Sequence, residues 1–96
     1  MNDDFFAAAP FKAAEALVSL KRQLRDLKLA ERGAAFELRG KRMAELAVED
    51  NSIQIKLARR LMLTPEWDRL VVKSVADQRK LVDEIKKRLA RWEHEE

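Results

Sequence analysis

Hydrolytic or metal chemistry needs a few side chains held together, and the only histidine available is His94. It stands in the acidic stretch Glu93-His94-Glu95-Glu96, where a helix end frays and no core orients a ring. A glutamate three residues before it would complete the pairing used by di-iron helices, but position 91 is arginine. Ser19, Ser52 and Ser74 have no base at a readable spacing, and Ser52 suits a turn. The two glycines stand singly, so no phosphate-cradling loop is encoded. Cysteine is absent, which removes disulfides and thiolate metal sites. The adjacent acids Glu49-Asp50 and Asp83-Glu84 are accounted for by capping and solvent. The expectation is a protein that is not an enzyme and takes no metal or cofactor.

The cations are better placed for chemistry. Lys21, Arg25, Lys28 and Arg32 recur at i, i+4, i+7 and i+11, with Arg39 on the same side of a helix. Arg69, Lys73, Lys80, Lys87 and Arg91 make a second row, interrupted by Glu84. Such rows can follow a phosphate backbone, releasing a counterion for each phosphate neutralised. Helical proteins also turn lysine and arginine outward as a matter of course, and Glu31, Glu37, Asp77 and Asp83 dilute the field. There is no tyrosine for base stacking, and both tryptophans lie outside the basic rows. Nucleic-acid contact, driven by charge or shape rather than base identity, is therefore the alternative function.

The elements that must position these residues read as helices. The 96 residues are 39% charged and 47% hydrophobic, with two glycines and two prolines and a net charge of +3. Such a composition favours long helices in a single domain. Leu29, Gly33, Phe36, Gly40, Met43 and Ala47 alternate spacings of four and three, which draws a seam along one helix side. Leu24, Leu27, Ala34 and Leu38 fall nearly opposite, so the helix would need two partners. Helices are predicted at about 10–49, 53–63 and 65–93, forming an all-α antiparallel hairpin kinked near Pro65 and resembling a coiled coil. A break at Gly33 or Gly40, giving a shorter bundle, is the rival arrangement.

Local signals support these boundaries. Glu49-Asp50-Asn51-Ser52 is the clearest turn, and Asn51 with Gln54 has capping-box spacing. Thr64-Pro65-Glu66 reads as an N-cap followed by a first helical turn. Trp67, Val71, Val75, Gln78, Val82, Ile85, Leu89 and Trp92 form one stripe about 100° wide. Lys56 to Leu63 followed by Pro65 to Val72 only weakly suggests a helix-turn-helix, lacking the usual turn glycine.

Residues 1–9 are expected to be a flexible arm carrying Phe5 and Phe6, with an acidic start unlike a secretory leader. No apolar run is long enough to span a bilayer. The functional expectation is a cytoplasmic protein–protein interaction or assembly module, an adaptor, assembly factor or inhibitor. It would form a homo-oligomer through the Leu29–Ala47 seam and also meet a protein partner.

Overall fold

The computed structural model describes residues 10–93. Within them, β-structure occupies the middle of the chain where one long helix was expected. Helix α1 (Ala13–Asp26) is followed by five strands, β1 (Ala30–Arg32), β2 (Ala35–Leu38), β3 (Lys41–Glu49), β4 (Ser52–Ala58) and β5 (Trp67–Val72). Helix α2 (Val75–Glu93) closes the sequence of elements. The strands form one antiparallel sheet in chain order. The all-α hairpin, its coiled-coil character and its helices at 10–49 and 53–63 are thus corrected. Of the predicted helices, the first survives only as Ala13–Asp26 and the third only as Val75–Glu93, beginning ten residues later than expected, while 53–63 is not helical.

Turn geometry explains the correction. Gly33 sits at φ +61° in the two-residue turn between Arg32 and Ala35, and Gly40 at φ +78° in that between Leu38 and Lys41. Arg39 beside Gly40 also has positive φ (55°), so both central residues have the handedness that matches strand twist. Asp50 (φ 49°) and Asn51 (φ 54°) repeat this between Glu49 and Ser52. The seven-residue interval between the glycines, which imitates a heptad, is the spacing of successive hairpin turns.

Helix α1 stops early for a backbone reason. Leu27 caps it, Lys28 takes φ 70°, and the Lys28 and Leu29 N–H groups donate to the carbonyls of Arg25 (2.9 Å) and Leu24 (3.3 Å). These are the paired bonds of a Schellman ending, with buried Leu29 beside buried Leu24. A lysine fills the left-handed position where glycine is usual. The other end borrows its cap: Asn51 Oδ1 accepts the Ala13 N–H and Asn51 Nδ2 donates to the Phe11 carbonyl, both at 2.9 Å. Asn51 therefore caps a helix 38 residues upstream rather than starting one, and Gln54 donates to Ser52 Oγ instead of completing a box.

Thr64 and Pro65 belong to the loop before β5. The start of α2 is marked by Ser74, whose Oγ accepts the Asp77 N–H while Asp77 Oδ2 accepts the Lys73 N–H, each at 3.0 Å.

Both helices cover one face of the sheet. Ile53, Ile55 and Leu57 of β4 alternate inward with Ala44 and Leu46 of β3 and Val72 of β5. They meet Leu20 and Leu24 of α1 and Leu81, Val82 and Ile85 of α2 in one core. Phe36 is fully buried opposite Ala44, and Met43, the extra residue at an irregularity in β3, is buried beside it. Burying a side chain of this size contributes about 1.5–3 kcal/mol. Of the predicted stripe, Val82, Ile85 and Trp92 of α2 are buried in this core and Leu89 packs against it, whereas Val75 is exposed and Trp67 and Val71 lie on β5. Gln78 joins the two helices, donating to Gln23 Oε1 at 2.8 Å.

Candidate interaction edge and open sheet face

The residues of the expected seam do not share a surface. Leu29, Phe36 and Met43 are core, Gly33 and Gly40 are turns, and Ala47 is exposed on β3. The first basic row is dispersed in the same way. Lys21 and Arg25 of α1 both pair with Glu31, at 3.4 and 2.7 Å. Lys28 sits at the helix ending, Arg32 pairs with Glu37 across β1–β2 at 3.7 Å, and Arg39 occupies a turn. The Arg25 guanidinium, seconded by Lys21, holds the Glu31 carboxyl below its ordinary value of 4.5. In the second row Lys80, Lys87 and Arg91 do remain together, exposed on α2. Arg69 is on β5 and Lys73 on the β5–α2 connection. His94, Phe5, Phe6 and the 1–9 arm lie outside the described residues.

Among the described residues, two uncovered features stand out, and both involve β5. The first is its outer edge. Arg59 N–H donates to the Glu66 carbonyl at 3.0 Å, in step with the β4–β5 pairs Leu57–Asp68, Ile55–Leu70 and Ile53–Val72. Backbone groups of these residues therefore point at β4, and those of Trp67, Arg69 and Val71 point away from it. No strand pairs with that side among the described residues. The opposite edge, β1, is only three residues long, the usual way of blunting an edge. Six-residue β5 is not blunted by length.

Alongside this edge runs a groove of about 470 Å³ between β5 and α2. Leu70, Val71, Val72 and Leu81 line it, with Asp77 and Lys80 beside them. At its far end Arg88, whose side chain is 11% exposed, fixes α2 to the sheet. Its Nε donates to Glu84, one terminal nitrogen to the Ala58 carbonyl and the other to Asp68 Oδ2, all at 2.8 Å. Arg59 Nε donates to the other Asp68 oxygen at 2.7 Å. The Arg59 bond, then that from Arg88, holds the Asp68 carboxyl below its ordinary value of 3.8. The ordinary role of this network is structural: it keeps the groove wall in place.

The second feature is the sheet face away from the helices. Glu45, Lys56 and Arg69 lie side by side across β3, β4 and β5. A depression of about 280 Å³ opens beside them, lined also by Ala34, Ala47 and Gln54. Lys56 and Arg69 are directly opposed in a pair without mutual hydrogen bonds, where side chains come closest. Like charges so placed repel. Glu45 is held by Arg42 at 3.2 Å, and neither Lys56 nor Arg69 forms an ion pair among the described residues.

Both features escape a helical reading of the sequence. The alternation Ile53-Gln54-Ile55-Lys56-Leu57 was the available signal for β4. No helix among the described residues is long and apolar enough to cross a membrane. No protein-family model, curated protein or solved structure matches the chain.

Proposed function

We propose that this protein is a non-enzymatic protein–protein interaction module that accepts an extended strand of a partner on the outer edge of β5. The supporting observation is the conjunction of an unpaired six-residue edge with an apolar groove against α2. An added strand gains main-chain hydrogen bonds from Trp67, Arg69 and Val71, and every second side chain enters the groove; such pairing with pockets for alternate residues is a recurring recognition mode. A second copy of the chain is the competing occupant of this edge. The register that engages residues 67, 69 and 71 of both copies sets Arg69 against Arg69, which disfavours a second copy relative to a foreign strand.

Val71→Pro tests the reading. The Val71 N–H points away from β4, so the substitution removes an edge donor without removing a ladder bond. Extended peptides selected from a displayed random library should bind the wild type, protect the Trp67, Arg69 and Val71 amides from hydrogen exchange, and lose binding to Val71→Pro. Peptides that bind both proteins equally and leave those amides unprotected would refute it.

A second reading rests on the Lys56–Arg69 pair: the open face contacts a phosphate backbone. Affinity for single- or double-stranded nucleic acid would then fall steeply with salt, and Lys56→Gln/Arg69→Gln would abolish it. Binding unaltered in that double variant removes this second reading.

A further inference from the structure

We infer that the strand accepted by β5 carries a carboxylate side chain opposite Arg69, with apolar residues one and three positions before it. The inference rests on the strand-addition reading and specifies its partner.

The register follows from sheet geometry. In an antiparallel addition, the incoming residue opposite Arg69 projects from the same face as Arg69, the open face. There it meets Arg69 directly and Lys56 one strand further on. These two cations are mutually repulsive and without an acid partner among the described residues. A carboxylate at that position relieves the repulsion and extends the row Glu45–Lys56–Arg69 with a fourth, opposite charge.

Side chains alternate faces along a strand. The incoming residue just before the acid therefore stands opposite Leu70, and the one two positions earlier stands opposite Val72. Both project to the helix side, where the groove offers Leu70, Val72 and Leu81. The intervening residue faces Val71 on the open side and is unrestricted. The residue after the acid stands opposite Asp68, whose two oxygens are already engaged by Arg59 and Arg88, so a second acid there is excluded. The resulting pattern is apolar-any-apolar-acid.

The probe is N-acetyl-Lys-Ser-Val-Thr-Ile-Glu-Ser-Lys-amide carrying a fluorophore, compared with peptides having Gln or Lys in place of Glu. Fluorescence anisotropy at moderate salt reads affinity for wild type, Arg69→Glu and Val71→Pro. The Glu peptide should bind the wild type at least about tenfold more tightly than the Lys peptide, about 1.4 kcal/mol. Arg69→Glu should invert that order, and Val71→Pro should lose both. Equal binding of the Glu and Lys peptides, still lost in Val71→Pro, would overturn the acid rule and leave strand addition standing. Undiminished binding to Val71→Pro would overturn strand addition itself. Failure of every peptide to bind at millimolar concentration would overturn the inference. So would a dimer that Val71→Pro dissociates and the Glu peptide does not, which assigns the edge to a second copy.

Discussion

Arg88 joins the last helix to the end of the sheet, and its truncation tests whether that junction is as strong as its geometry. The guanidinium makes three hydrogen bonds at 2.8 Å, to Glu84, the Ala58 carbonyl and Asp68. Bonds to charged groups contribute roughly 1.5–3 kcal/mol each when well shielded. Glu84 and Asp68 are 36% and 30% exposed, so solvent screening lowers the yield of those two. Arg88→Ala should therefore cost about 2–4 kcal/mol. Since each kcal/mol shifts Tm by about 4–8 °C in a domain of this size, the expected fall is on the order of 10–25 °C.

The assay is thermal and urea unfolding followed by far-ultraviolet circular dichroism, with Arg91→Ala as the control. Arg91 is exposed on the same helix, and its loss should stay within about 0.5 kcal/mol. Arg88→Lys keeps the charge but cannot reach three partners in one plane, so it should fall between the two. The Arg88→Ala effect should also persist at high salt, because an 11% exposed side chain is little screened. A fall in Tm below about 3 °C, or one that vanishes at high salt, would refute the reasoning.

Four further outcomes follow from the fold. Phe36→Ala should cost about 3–5 kcal/mol in urea unfolding, because a fully buried ring is removed; a solvent-facing partner residue would lose almost nothing. Lys28→Gly should stabilise by about 0.5–1 kcal/mol by relieving the left-handed backbone at φ 70°, and an unchanged urea midpoint would contradict the α1 ending described. Gly40→Ala should cost about 1–2 kcal/mol from its φ of +78° alone, as no atom lies within 4 Å of an added Cβ; a loss above about 3 kcal/mol would imply a clash that is absent. Acid should destabilise through Asp68 and Glu31. Both carboxyls lie below their ordinary values of 3.8 and 4.5, so their stabilisation is complete above those values and disappears as pH falls through the lowered ones. Urea midpoints of Asp68→Asn should accordingly be less sensitive to pH below about 4.5 than those of the wild type.

The candidate site shows how legibility divides. Arg69 and Lys80 were recognisable as exposed cations, but as members of a helical row rather than as the open face and groove of an edge strand. The β5 edge was not readable, because an unpaired backbone is a property of what lies beside a strand. Its residues Trp67 and Val71 also fit the spacing of the α2 stripe, and Thr64-Pro65 offered a plausible helix start just before them.

Local chemistry determined the turns and one helix. Gly33, Gly40 and Asp50-Asn51 take positive φ because glycine, asparagine and aspartate bear that conformation at low cost. The spacing from Gln78 to Trp92 marks the α2 surface that faces the core because a period of 3.6 repeats there without interruption. Tertiary structure decided the rest. Between residues 30 and 58, Leu, Ala, Glu, Lys and Arg favour helix by intrinsic preferences of at most about 0.7 kcal/mol each. Pairing across the sheet and burial of Phe36, Met43, Ile53, Ile55 and Leu57 outweigh those preferences once the turns bring the strands together. The end of α1 depends on a lysine in a glycine's place, and its beginning on an asparagine from a distant turn. The lysine stands next to the helix end, but the asparagine lies 38 residues from the N–H it caps, so only the folded chain selects it.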